Sequence, residues 1–297
     1  MYYDIIMLGH VSKDVLVDHN GAESRLLGGA IVHSAISAAK AGARVLAITK
    51  TADEDAASVD FIRSGGADLI VGSSPATTSI LNVFRTADHE RRDTTLLSRA
   101  APFTASDIPS DARAAVIDLA GLFVGELPDS LIKELAGRAK IAVDAQGLLR
   151  TAMPDGTMKF LDWKGKRELL PFVTWLKTDA AEAEFLTGLQ DREAAARTLA
   201  SWGAKEVMVT HNSEVIVLSE GKIYRAPFTP SNLSGRTGRG DTTFSSYLAR
   251  RLTHGCGDAV AFAAALCSIK MEKPGPFSGT LEEVRARMER DSGPDRD

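Results

Sequence analysis

Cysteine is nearly absent from this chain of 297 residues: only Cys256 and Cys267 occur, with no Cys-x-x-Cys pair. That argues against a structural zinc site and against a disulfide framework, and suits a reducing, cytoplasmic setting. Long hydrophobic runs are missing too. The longest, Ala259 to Cys267, is about half of the ~18 residues that a membrane span needs. The first residues, MYYDIIMLGH, lack the basic start and apolar stretch of a signal peptide. There is no basic excess: 35 Lys and Arg stand against 39 Asp and Glu, a net of −4. This disfavours nucleic acid as the main partner. Aromatic residues make up only 6%, which leaves few rings to stack a nucleoside base.

What is present is an alternation of short apolar runs with helical patterns. Strands are expected at Tyr3–Leu8, Val45–Ile48, Asp68–Val71, Ala115–Leu119, Ile141–Val143, Phe172–Leu176, Val207–Val209, Val215–Leu218 and Lys222–Arg225. Helices are expected after Gly28-Gly29 and over Asp53–Ser64, Asp129–Ala139, Asp179–Leu186, Asp191–Trp202, Thr242–Leu252 and Asp258–Met271. Repeated strand–helix–strand order implies an α/β fold with a mostly parallel sheet and helices on both faces. Ligands of such sheets bind at the carboxyl ends of the strands. Two stretches break the alternation. His10 to Leu27 reads as loop or a small exposed hairpin. Residues 77–98 read as a hairpin around the charged turn DHERRD, a lid-like insertion. The tail from Asp291 is polar and expected to fray.

The most informative segment is Ser234-Gly235-Arg236-Thr237-Gly238-Arg239-Gly240-Asp241-Thr242. Its glycines let a ligand approach the backbone amides, and the helix start that follows favours an anion. The spacing mimics a Walker A loop, with Asp241 where the lysine should be. A carboxylate repels phosphate unless its task is to take a proton from an attacking hydroxyl. Phosphoryl transfer to an alcohol therefore suits this arrangement, with Asp241 as base. Taken alone, Asp241 reads equally well as a helix N-cap.

Gly-Arg-Gly-Asp at 238–241 resembles the second signature of the PfkB (ribokinase-like) carbohydrate kinases. Gly28-Gly29 resembles the first signature, Gly9-His10-Val11-Ser12-Lys13-Asp14 the strand-one substrate loop, and Lys177 to Glu182 the Asn-x-x-Glu segment. Asp144-Ala145-Gln146-Gly147 and Lys270 to Pro276 look most like the myo-inositol kinase branch. The resemblance implies a ribokinase-like three-layer αβα sandwich with a small β lid, forming one kinase domain with lid segments at about 11–27 and 77–98. It implies ATP and Mg²⁺ as cofactors and a small polyol or sugar as substrate, myo-inositol first among them. A homodimer through the lid is known among such proteins.

Residue by residue, the resemblance makes Asp241 the catalytic base, with Gly238, Arg239 and Gly240 supplying anion-hole amides. Asp14, Gly28, Gly29, Asn82, Asp144 and Gln146 would meet the substrate. Thr210, Ala264 and Ser268 would border the nucleotide, within an alanine-rich stretch at 261–268 beside adenine. Glu182 would organise the magnesium waters. Asp179, in place of the usual asparagine, either joins it or caps a helix. Ala30 and His33 replace the lysine and asparagine of the first signature, and His33 faces either substrate or core. Arg236, Arg239 and Lys50 are candidates to neutralise phosphate. The rival readings are a family kinase for another sugar or a nucleoside, a non-catalytic ligand-binding protein on the same fold, and a nicotinamide-dependent enzyme. The last is weakened because only Gly9 follows the first strand.

Overall fold

In the computed structural model, which describes residues 1–86 and 92–292, the chain enters a large sheet through β1 (Tyr2–Leu8). It leaves for β2 (Ser12–Val17) and β3 (Glu23–Gly28), then returns with β4 (Val45–Thr51) and β5 (Asp68–Ser73). A second excursion forms β6 (Thr78–Phe84) and β7 (Arg92–Ser98), and the chain comes back as β8 (Arg113–Leu119) and β9 (Lys140–Asp144). A small hairpin, β10 (Arg150–Ala152) and β11 (Met158–Phe160), precedes β12 (Val173–Asp179), β13 (Glu206–Thr210), β14 (Glu214–Ser219) and β15 (Lys222–Pro227).

The large sheet has nine strands in the order β15-β14-β13-β12-β9-β8-β1-β4-β5. All pairs are parallel from β5 to β13, and β14 and β15 close the edge antiparallel. Strand side chains alternate between faces, so β1 feeds two cores. Ile5 and Met7 pack with the helices Ala30–Lys40, Arg239–Arg251 and Cys256–Met271. Ile6 and Leu8 pack with Ser130–Leu135, Ala180–Thr187 and Arg192–Ser201. Helices thus cover both faces of the sheet, giving the three layers of a ribokinase-like αβα sandwich.

The two excursions join in a four-stranded sheet, order β3-β2-β6-β7, through a parallel β2–β6 pair. The stretch read as loop or exposed hairpin is therefore a hairpin with one buried face, carrying Ser12 and Asp14. Most of the charged turn between β6 and β7 lies outside the described residues.

Several boundaries move. The helix expected over Asp53–Ser64 is a 3-10 segment, Asp53–Val59, followed by one turn, Phe61–Ser64. Asp55 there is drawn to Lys13 and Thr77. The helix expected over Asp129–Ala139 stops at Leu135, two residues before Gly137. β12 runs on to Asp179, which brings Lys177 to the strand end. The expected elements leave out the β10–β11 hairpin, the single turns Gln146–Leu149 and Lys166–Leu169, and a helix over Leu281–Asp291. No described helix is long and apolar enough to cross a membrane.

Candidate active site

Three neighbouring strands end in charged side chains on one face of the sheet. Asp118 follows Val116 on β8, Asp144 follows Ala142 on β9, and Lys177 follows Trp175 on β12. Val116, Ala142 and Trp175 all belong to the same core. Register sets Asp118 beside Ala142 and Asp144 beside Lys177. Two-residue periodicity therefore carries all three to the carboxyl end beneath the helix Arg239–Arg251.

That helix begins earlier than expected. Gly238, at φ 79°, is its N-cap, and Asp241 sits within the first turn. The cap alternative for Asp241 is thereby corrected: a left-handed glycine caps the helix, and the carboxylate is left for other work. A side chain on Gly240 would come within 3.1 Å of the Lys177 ammonium, so that cation rests against the helix start. Lys270, buried on the helix Cys256–Met271, donates to the carbonyls of Gly235 (2.5 Å) and Thr237 and ties down the loop from below.

Lys177 Nζ donates to Asp144 Oδ2 at 2.9 Å and Oδ1 at 3.1 Å, and stands 3.9 Å from Glu182 Oε2. All three residues are buried. Burial alone would lower the Lys177 pKa, but Asp144 and Glu182 reverse this and hold it above the ordinary lysine value. Glu182 and Asp179 form a capping box. The Asp179 amide donates to Glu182 Oε2 at 2.7 Å, and the Glu182 amide to Asp179 Oδ1 at 2.8 Å. Burial lifts Glu182 to about 8. Asp241 is raised to about 6 by burial and by Asp144, against the pull of Lys177, Lys270 and Arg150.

Asp118 is the most deeply stranded acid. It is 1% exposed, and neither carboxylate oxygen has a hydrogen-bond partner among the described residues. Burial, Asp144 and Asp241 together push its pKa well above the usual carboxylate range. An unpaired buried carboxylate is costly to keep ionised, so burial favours the protonated form of Asp118.

Across the cleft, Asp14 and Asn82 share the inward face of the four-stranded sheet. Asn82 Oδ1 accepts from Thr94 Oγ1 at 3.0 Å. Asp14 keeps one oxygen without a partner among the described residues, and burial raises it to about 6. Its other oxygen lies 2.7 Å from where a Gly28 side chain would begin. Gly29, at φ 101°, has the His10 carbonyl 2.4 Å from such a position. Both glycines are thus needed for close approach. Gln146, half-buried, opens a short helix beyond Asp144, whose Oδ1 accepts from the Gln146 amide at 3.0 Å. The charge of Arg150 acts on both Asp14 and Asp241 and lowers the pKa of each. Arg92 of β7 is felt by Asp14 and feels Asp241 as well.

The residues expected around a nucleotide, Thr210, Ala264 and Ser268, are all buried. Ala264 is in the core. Ser268 is fully buried, its hydroxyl engaged with the Ala264 carbonyl at 2.7 Å and the Thr229 amide at 2.8 Å. Residues 229–235 fold back onto the same helix end, with the Ser231 amide on Glu272 and the Gly235 amide on the Met271 carbonyl. Thr210 is buried and its Oγ1 turns to the Thr178 carbonyl at 3.4 Å. Lys50 pairs with Asp107 at 2.9 Å.

Sequence reasoning missed Asp118, Arg92 and Arg150, and quoted Lys177 and Lys270 only as parts of motifs. Lys177 was findable: a lysine at the end of an apolar strand, two residues before an acidic helix cap, must be buried beside a partner.

A family model described as pfkB family carbohydrate kinase matches residues 1–283. A solved pyrophosphate-dependent kinase of the ribokinase family, complexed with a pyrophosphate analog and myo-inositol, is 36% identical. The match covers 95% of this chain and 99% of that one, with a TM-score of 0.87. A pyrophosphate-dependent myo-inositol-1 kinase, converted by two substitutions to a myo-inositol-3 kinase, is 35% identical over 97% of this chain and 99% of that one, with a TM-score of 0.86. Among curated proteins, a cytidine kinase of Thermococcus kodakarensis is 26% identical over 83% of this chain and 87% of its own length.

Proposed function

The chain belongs to the pfkB family of carbohydrate kinases, phosphotransferases with a hydroxyl acceptor, and from that premise we propose that it phosphorylates a hydroxyl of myo-inositol with pyrophosphate as donor. The observation that carries the reading is the position of Asp241. Its carboxyl lies in the first turn of a helix capped by a left-handed glycine, and the charge of Arg150 reaches both it and Asp14. Asp14 and Asn82 hold ring hydroxyls, with Gly28 and Gly29 giving the ring room. Asp241 takes the proton of the attacking hydroxyl. The new bond joins that oxygen to the transferred phosphorus, the bridging P–O bond breaks, and phosphate leaves. The amides of Gly238 and Gly240, with Lys177 behind them, receive the negative charge, while the expected Arg239 amide is turned to the Arg236 carbonyl at 3.2 Å.

Pyrophosphate is favoured over the expected ATP on two grounds. Proteins named as pyrophosphate-dependent are 35–36% identical over nearly the whole chain. The helix end expected to border adenine is covered by residues 229–235, with Ser268 already engaged. Asp179 and Glu182 each spend one carboxylate oxygen in their capping box, an arrangement that suits holding the waters of a hydrated Mg²⁺. When bound, that ion would neutralise donor charge.

A second reading, phosphorylation of cytidine, is favoured only by the 26% identical relative. The test offers the purified protein myo-inositol or cytidine, each with pyrophosphate or ATP, and follows phosphate and ADP release. Phosphate released from pyrophosphate only when myo-inositol is present is expected. Turnover confined to ATP would overturn the donor assignment, and turnover confined to cytidine the acceptor.

A further inference from the structure

One helix connects the two halves of the cleft. Ala30–Lys40 starts at Gly29, beside Asp14, and packs along Arg239–Arg251. The two helices meet turn by turn: His33 lies against Gly238, and four residues on Ser37 Oγ meets Thr242 Oγ1 at 3.4 Å. The His33 contact is unusually close. A side chain on Gly238 would come within 2.3 Å of the ring Cγ and 2.4 Å of both Cδ2 and Nδ1. Three ring atoms at nearly equal distance mean that the imidazole lies flat beneath the Gly238 backbone. The ring is 5% exposed, and its Nδ1 has no hydrogen-bond partner among the described residues.

We propose that His33 is a positioning residue for the donor: its flat ring is the floor on which the left-handed Gly238 cap closes, and so it fixes the amides of the anion loop. This deepens the function proposed above and rests on it. Three features support the role. Gly238 needs φ 79° to start the helix, and only a neighbour without a bulky upward branch leaves room for that backbone. The ring also stays uncharged: burial and the Lys270 ammonium lower its pKa to about 3, so it brings no cation to compete with the amides for the donor. Finally, Lys270 of the helix Cys256–Met271 holds the carbonyls of Gly235 and Thr237, so ring and ammonium fix the loop from two different helices.

The role predicts a split between donor and acceptor. His33→Ala is expected to raise the KM for pyrophosphate by roughly tenfold or more, because a small displacement of the donor site is costly. The KM for myo-inositol should stay within about twofold. His33→Phe keeps a flat ring and should recover most of the loss. Gly238→Ala should weaken the donor by itself, and His33→Ala in the same chain should relieve part of that defect, because the ring is what the new methyl strikes. Direct calorimetric binding of pyrophosphate to each variant reads the same effect without turnover. It also separates this proposal from the broader one: a wild-type protein that binds pyrophosphate but transfers nothing to myo-inositol would fail as the proposed kinase while still reporting on His33. An unchanged pyrophosphate affinity in His33→Ala, equal losses for donor and acceptor, or strict additivity between positions 33 and 238 would overturn the assignment. If His33→Ala does not fold, the Gly238→Ala and His33→Phe single variants still decide it: Gly238→Ala with wild-type donor affinity, or His33→Phe with the donor lost, overturns it as well.

Discussion

Lys177 and Asp144 stand side by side at the ends of adjacent parallel strands, with both carboxylate oxygens within 3.1 Å of the ammonium. Glu182 closes the other side. A buried ion pair adds little net stability when compared with an apolar substitute, but removing one partner strands the others. Lys177→Met should therefore cost about 3–5 kcal/mol, seen as a fall in Tm and in denaturation midpoint. Because Lys177 also rests against Gly240, the same variant should lose pyrophosphate affinity. A variant of wild-type stability would show that the ammonium does not neutralise this cluster.

The raised acids set a pH profile. Asp14 and Asp241 both sit at about 6, each lifted chiefly by burial. A base must be ionised to accept a proton, so kcat/KM should climb between roughly pH 5 and 7 and then level off. A profile flat down to pH 4 would contradict the environment described for these carboxyls.

Stability runs the opposite way. A folded-state pKa raised above the unfolded value favours the protonated form, so this contribution is fully present below about pH 4 and is lost as pH rises through about 6. Asp241→Asn carries no charge at any pH. It should raise Tm at pH 8 and leave it near wild type at pH 4. Calorimetric scans at the two values check the sign.

Much of the fold was legible because its signals are local. Apolar runs three to six residues long, separated by helical spacing, give the parallel sheet and its strand-end loops, and the glycine loop with Asp241 marks the donor side. The rest depends on contacts between distant segments. Pairing of β2 with β6 joins residues 12–17 to 78–83, and no local pattern announces it. The helix Leu281–Asp291 had a signal, the Thr280–Glu283 capping box, that went unread. Asp118 looked like one polar residue in an apolar strand. Only the folded arrangement brings its side chain under the influence of Asp144 and Asp241 and leaves it without a hydrogen-bond partner among the described residues.

Asp118 yields its own test. A neutral buried acid should give a protonated-carboxyl carbonyl band in the infrared spectrum at pH 8, and Asp118→Asn should lower its intensity, leaving the share that Glu182, at about 8, contributes. No change in that band would mean that the group is ionised or solvated.

The base assignment is tested most directly by Asp241→Asn, which keeps the shape of the side chain and removes its capacity to accept a proton. Turnover of myo-inositol with pyrophosphate should fall by roughly a hundredfold or more, while calorimetry still registers binding of both ligands. Turnover close to wild type, with both ligands bound, would contradict the role given to this carboxylate.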